Sequence, residues 1–303
     1  MRDATQIAAG VVLIATLLTG VVALQVVRER QFPQAEAAQQ ILYVSSPAVL
    51  TRLALSYDDL LADLYWIRAI QYYGGTRLSQ RPEKSYDLLY PLLDLTTSLD
   101  PHFNIAYRFG AFFLSEKRPG GAGRPDLAIR LLQKAIETSP DRWEYPHDVG
   151  FVHYRDGEFT EAAEWFTRAA ETPGAQKPGE RADMWLRPLA ANTLAAGRDT
   201  KSSRILYQEL LKSDVTWLRA DAARRLKQLD AIDEIAQLQR MLMEYERQHG
   251  DPLPTWDDVI RAGLLREVPA DSEGFHYILN QWWGDVRVNP DSPLWPLPSE
   301  NPA

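Results

Sequence analysis

The sequence predicts a mainly α chain: an array of helical hairpins behind an N-terminal transmembrane helix, closed by a small α+β cap. Three observations carry this. An uncharged apolar run, Ile7 to Val27 (IAAGVVLIATLLTGVVALQVV), lies near the start. Two central segments, DLAIRLLQKAIETSP from Asp126 and TEAAEWFTRAAETPG from Thr160, align with a separation of 34 residues. Downstream, helical spacing of apolar residues gives way to the β-rich run HYILNQWWGDVRV and a Pro-rich end.

The totals set the frame. A length of 303 residues suits one extended domain or two compact ones. A hydrophobic share of 45% is enough for a core. The net charge of -8, with no long basic run, argues against a nucleic-acid binder, because a phosphate backbone rewards clustered Lys and Arg. The absence of cysteine removes disulfides, Cys-ligated zinc, iron–sulfur clusters and thiol catalysis, and leaves the fold indifferent to redox compartment.

Residues 1–30 read as the anchor and 31–56 as a linker. As a helix, Ile7 to Val27 is about 31 Å long, matching a hydrocarbon core of about 30 Å. A cleaved signal peptide is the alternative, with Val21-Val22-Ala23 as a small-residue site. The run is longer than a usual signal core, which favours a retained anchor. A bare count of flanking bases, Arg2 against Arg28 and Arg30, holds the C-terminal flank inside. The lack of cysteine and the large portion after a short anchor point the other way. The expected location is a bacterial-type inner membrane, spanned once, with the bulk of the chain periplasmic.

Residues 57–230 read as the hairpin array. Its first unit runs from about Tyr57 to Asp100-Pro101. The stretch LLADLYWIRAIQYYGG, Leu60 to Gly75, is apolar on every side of a helix, so it is expected to be buried in protein, with Gly74-Gly75 as its stop. Asp63 and Arg68 are expected to bond to the linker or to neighbouring helices. The partner helix, Tyr86 to Asp100, is expected to kink at Pro91. The second unit, from His102 or Phe103 to Arg142, carries Phe109-Gly110, Phe113, Ala128, Ala135 and Pro140, with KRPGGAGRP as a long inter-helix loop. The third, Trp143 to Gln176, carries Val149-Gly150, Tyr154, Gly157, Phe159, Ala162, Phe166 and Ala169. A weaker fourth unit spans Asp183 to Thr216 after the spacer GAQKPGE, and Trp217 to Gly250 continues as helix.

Small residues at Gly150 and Ala162 let two helices approach closely, and Gly157 allows the tight turn between them. In these positions the chain resembles the tetratricopeptide repeat (TPR) family. It departs from the family at Pro146, where the family has an early Trp, and at Gly174, where it has a closing Pro. A generic helical bundle is the alternative. The resemblance implies that the first helix of each hairpin lines a concave groove. The partner-facing residues are then Asn104, Tyr107, His147, Phe151, Tyr154, Arg155 and Arg187. The partners implied are proteins or peptides, including those of a membrane complex.

Residues 231–288 read as a helix followed by the cap. Met243 to Tyr277 runs through Gly250, a short helix capped by Thr255, Leu264-Leu265, Val268-Pro269, Asp271, Gly274 and an aromatic strand. That order is similar to the C-terminal part of type II secretion major pseudopilins, although Ser272 stands where those proteins have Pro and no prepilin cleavage motif precedes the apolar run. Residues 289–303 form a Pro-rich tail, expected to be extended or disordered.

The chemistry is sparse. None of the five histidines lies in a metal-ligand spacing, and no nucleophile elbow, phosphate loop or dinucleotide fingerprint occurs. Asp58-Asp59 and Asp257-Asp258 suit first turns of helices. The expectation is no catalytic residue, no metal, no cofactor and no enzymatic activity. The function expected is a membrane-anchored scaffold or adaptor. The alternatives are an accessory structural component of a secretion or pilus-like machine, and an enzyme on a helical scaffold.

Overall fold

The computed structural model describes residues 16–24, 26–27, 56–80, 83–250, 254–280 and 284–298. Among these the chain is mainly helical, with one two-stranded sheet. The expected span Ile7 to Val27 lies partly outside the described residues. Its described portion, 16–24 and 26–27, is helical, and among the described residues no helix is long and apolar enough to cross a membrane. The chain divides into two compact units. One comprises Met1–Ala106 with Pro119–Ala122, the other Tyr107–Arg118 with Gly123–Ala303.

In the first unit, α1 (Asp58–Leu78) packs against α2 (Leu89–Leu99). The buried residues of α1 are Ala62, Tyr65, Ala69 and Tyr73, one helical stripe. Leu60, Leu64, Ile67 and Ile70 are exposed, so the helix is not covered on every side as its composition suggested. Arg68 lies over the ring of Tyr65 on its own helix, 5.5 Å from the centroid. Nor does α1 stop at Gly74-Gly75: it runs on to Leu78. Two glycines cost a helix about 1 kcal/mol each. Contacts on either side of them hold the last turn: Tyr73 meets Tyr86 at 5.9 Å, and Arg77 donates to the Tyr73 hydroxyl at 2.5 Å. In α2 the helix begins at Leu89, which puts Pro91 in the first turn. There the missing N–H has no helical partner to lose and no preceding carbonyl lies in the way, so no kink is required. Thr96 and Thr97 are fully buried because each hydroxyl donates to a carbonyl one turn back, Leu92 and Leu93, both at 2.9 Å.

The helix α3 (Asn104–Ser115) leads into the second unit. There α4 (Pro125–Thr138), α5 (Glu144–Asp156), α6 (Phe159–Glu171), α7 (Asp183–Ala196), α8 (Thr200–Leu210) and α9 (Thr216–His249) follow, each packed on the next. Pro125 begins α4, where its fixed φ suits a first turn. Gly157, at φ 83°, closes α5 and opens the two-residue turn into α6. Between these helices a Cβ on Gly150 would lie 2.7 Å from the Phe166 ring and 3.0 Å from the Ala162 carbonyl, so only glycine permits this approach. The spacer GAQKPGE begins with a 3-10 turn, Pro173–Gln176. Gly174 donates from its backbone to Asp141 at 3.1 Å, and a side chain there would collide with that carbonyl.

No break falls at residue 230. The 34-residue α9 passes through it. Its first half packs Leu218, Ala222 and Leu229 against Tyr207 and Leu210 of α8. Its second half packs Ala231, Leu238 and Leu242 against a C-terminal module. That module holds α10 (Trp256–Arg261), which starts on a reciprocal Thr255/Asp258 capping box, and an antiparallel hairpin of β1 (Ile278–Leu279) and β2 (Val286–Arg287). Asp271 is buried and organises the preceding turn, accepting from the backbone of Glu273 at 2.9 Å and Phe275 at 3.0 Å and from the Ser292 hydroxyl at 2.5 Å.

The Pro-rich tail is a correction. Up to residue 298 it packs onto α9 rather than standing free. Leu294 and Leu297 are buried among Ala231, Tyr277 and Val286. Gln228, fully buried, donates to the carbonyls of Leu294 at 2.6 Å and Pro296 at 2.9 Å. Proline lacks an N–H, but its carbonyl remains an acceptor, and a buried amide is well placed only against such partners.

Candidate partner-binding face

The side chains expected to face a groove do not share one environment. Asn104 opens α3 half-buried, and its Oδ1 is buried without a hydrogen-bond partner. Tyr107 is not groove-facing: it is 0% exposed, edge-on to Tyr145 of α5 at 5.8 Å. Burial also pushes the Tyr145 phenol up. Tyr154 is half-buried against Phe159 at 5.5 Å and belongs to the α5–α6 core. Phe151 is 44% exposed, and His147 and Arg155 are half-buried.

These three lie within a polar and aromatic frame built by α3 and α7. Arg108 of α3 makes a two-point pair with Asp148 of α5, at 2.5 and 3.1 Å. The bond to Asp148 raises the Arg108 pKa above its ordinary value. His147 Nδ1 also hydrogen-bonds Asp148, at 3.0 Å. Its ring is held by Trp143 at 6.0 Å, Phe166 at 5.5 Å and Trp185 of α7 at 5.5 Å. Arg155 places its guanidinium 5.5 Å from the ring centroid of Phe112 of α3. Asp148, Phe151 and Arg155 stand at i, i+3 and i+7, so they share a side of α5. That side faces the Arg108–Phe112 side of α3.

Sequence reasoning missed three members of this face: Phe109 and Phe112 on α3, 55% and 45% exposed, and Trp185 on α7, 42% exposed. It also placed Arg187 one residue out of register. Gly150, Ala162, Phe166 and Ala169 correspond to Ala191, Ser203, Tyr207 and Leu210, each pair 41 positions apart, and all eight are buried. The contacts agree, since Ser203 donates to the Ala191 carbonyl at 2.8 Å where Gly150 approaches Ala162. By this offset His147 corresponds to buried Pro188, and Phe151 corresponds to Asn192, which accepts from Tyr207 at 2.7 Å. Arg187 is exposed beside the α8 end. There it adds to the bond from Lys212 that holds the Glu209 carboxyl below its usual range. The seven residues of the GAQKPGE spacer account for the difference between 41 and the 34 of the preceding pair, and small residues, not charges, carry the signal that fixes the phase.

A concavity of about 480 Å³ lies between α6 and α8, over Ala163, Leu194 and Leu206, with Glu164, Arg168 and Asp199 among its lining. Among the described residues, no three His, Asp or Glu side chains are grouped to hold a metal ion. Comparison with protein-family models, with curated proteins and with solved structures finds no match.

Proposed function

We propose that this chain is a membrane-anchored, TPR-like adaptor that holds a protein or peptide segment on the face formed by α3, α5 and α7. The observation that carries the reading is the exposure of four aromatic side chains, Phe109 and Phe112 on α3, Phe151 on α5 and Trp185 on α7, with Arg155 beside Phe112. Aromatic and Arg side chains are the usual anchors of interfaces, and a contiguous apolar surface is costly to leave in water without a use. The hairpin of α5 and α6, with Gly150 against Phe166 and the turn at Gly157, supports the TPR likeness. The anchor rests on the uncharged run Ile7 to Val27 and on the exposure of Leu17, Leu18, Val21, Val22 and Leu24 within it. We place the bulk of the chain on the periplasmic side of a bacterial-type inner membrane. Protease added to spheroplasts then digests it, and full protection overturns that orientation.

The test of the adaptor role is photo-cross-linking in native membranes. A photoreactive amino acid replaces Phe151 or Trp185, with Glu164 on the α6 side as the control. The expected result is one discrete cross-linked protein from the first two positions and none from the third. Identical patterns from all three positions refute the adaptor face. A second reading, an accessory structural part of a secretion or pilus-like machine, is favoured by the C-terminal module alone. Its order of helix, Gly250, short helix, Gly263, Asp271 turn and hairpin follows the pseudopilin-like pattern. Under that reading, cross-links arise from Ile278 or Trp295, both exposed on the module, and not from Phe151.

A further inference from the structure

Several charged side chains around the aromatic face are paired, and Arg155 is not. Arg108 pairs with Asp148, which also binds His147. Arg142 pairs with Glu144 at 3.3 Å. Arg155 has no hydrogen-bond or ion-pair partner among the described residues, and its Nη1 is buried with nothing to donate to. Its guanidinium carbon lies 5.5 Å from the centroid of the Phe112 ring. A cation over an aromatic face recovers part of its lost hydration, but it leaves the guanidinium N–H groups unsatisfied. Phe112, beside it on α3, and Phe151, one turn before it on α5, are both exposed.

We propose that this face recognises an acidic, apolar protein segment: a carboxylate that pairs with Arg155, next to bulky side chains that cover Phe112 and Phe151. The proposal rests on the adaptor reading and adds the chemistry of the partner. The complementarity is specific. In a chain with net charge -8, the unmatched charge on this face is a cation. A carboxylate brought there meets an N–H donor set that is already partly dehydrated, where a charge-assisted bond is strong and directional. A basic segment meets like charge and leaves the same atoms unsatisfied. An anionic lipid surface is a poorer fit, since it rewards several neighbouring Lys and Arg, and here Arg108 and Arg142 are already paired.

The experiment is selection of a random peptide display library on the full chain in lipid nanodiscs. The selection is repeated on Arg155→Glu, Phe151→Ala and Trp185→Ala, each checked by circular dichroism and thermal unfolding. Arg155→Gln replaces the Glu variant if the latter fails to fold. The expected pool is enriched in Asp or Glu beside Leu, Phe or Trp. Its members bind wild type about tenfold more tightly than the Arg155 variants, and their affinity falls with added salt. Arg155→Glu is expected to select Lys-bearing peptides instead. A pool that depends on Phe151 and Trp185 but shows no acidic preference, and no loss on the Arg155 variants, overturns this inference and leaves the adaptor reading standing. A pool indifferent to all three residues removes the adaptor face as well. Vesicle binding by phosphatidylserine that depends on Arg155, without acidic peptides in the pool, assigns the cation to lipid and also overturns the proposal.

Discussion

Gly150→Ala tests whether the α5–α6 hairpin is held by a backbone-close contact. Gly150 lies within α5, so the substitution by itself favours the helix by about 0.8–1 kcal/mol. Against this, the new methyl would stand 2.7 Å from two atoms of the Phe166 ring and 3.0 Å from the Ala162 carbonyl. Phe166 is 2% exposed and also meets His147, so its ring has little room to retreat. Overpacking of this kind costs about 1–3 kcal/mol, which exceeds the helix gain. The net expectation is destabilisation by up to about 2 kcal/mol, read as a lower urea midpoint by far-UV circular dichroism. Phe166→Leu alone is also destabilising, through lost contacts. In combination the smaller side chain makes room for the methyl, so the double variant is expected to be more stable than the sum of the single penalties by at least about 0.5 kcal/mol. Equal or higher stability of Gly150→Ala, or strict additivity in the pair, refutes the contact as the cause.

Gly74→Ala and Gly75→Ala face open space inside α1, so each is expected to stabilise the first unit by about 0.4–1 kcal/mol in the same denaturation assay. Tyr107→Ala removes a fully buried ring and is expected to cost about 3–5 kcal/mol, visible as a lower Tm and not as a selective loss of partner binding. Gln228→Leu strands the carbonyls of Leu294 and Pro296, at about 1–3 kcal/mol each before water enters, and is expected to open residues 289–298 to limited proteolysis. The Asp258 carboxyl is held below its ordinary range, first by the bond from the Thr255 hydroxyl. A depressed folded value means that the cap contributes fully above the unfolded pKa of about 3.9 and is lost as pH falls through the folded value. Carboxyl NMR titration is expected to give a midpoint under about 3.9 for Asp258, and Thr255→Ala moves it upward.

What the sequence made legible was local and periodic. The α5–α6 hairpin was readable because Gly150, Gly157, Ala162 and Ala169 each mark a contact that only a small side chain or a left-handed turn allows. The β1–β2 hairpin was readable from its β-rich runs. Failures came where a distant partner decides. Gly74-Gly75 reads as a stop, yet Tyr86 and the Arg77–Tyr73 bond carry the helix past it. Tyr107 reads as groove-facing from its register, yet Tyr145 closes over it. The tail reads as extended or disordered from its prolines, while the side chain that fixes it, Gln228, lies 66 residues before Leu294. Arg187 was displaced because the spacer shifts the phase by seven, and a charged surface residue carries no packing signal to reveal the slip. Phe109 was read as a repeat-signature position with Gly110 and Phe112 was not singled out, because nothing in FGAFF separates exposed rings from core until the burial of Ala111 and Leu114 shows where the core is.

The continuity of α9 joins the preceding helices to the C-terminal module. At about 1.5 Å per residue its 34 residues span about 51 Å. Its N-terminal half closes the last hairpin, with Leu218, Ala222 and Leu229 against α8. A helical array that ended there would leave the remaining half of α9 with an apolar stripe, Ala231, Ile235, Leu238 and Leu242, facing water. The C-terminal module covers that stripe, and polar contacts fix its register along the helix. Lys227 meets Glu273 at 2.6 Å, Glu234 accepts from the Tyr277 hydroxyl at 2.5 Å, and Gln228 holds the tail. These bonds lie within two turns of the helix, where the hairpin core gives way to the module core. A module with its own small hydrophobic core gains little stability alone. Sharing one helix with the array lets each half cover what the other would expose. The exposed rings of Phe109, Phe112, Phe151 and Trp185 on α3, α5 and α7 lie outside both of these cores.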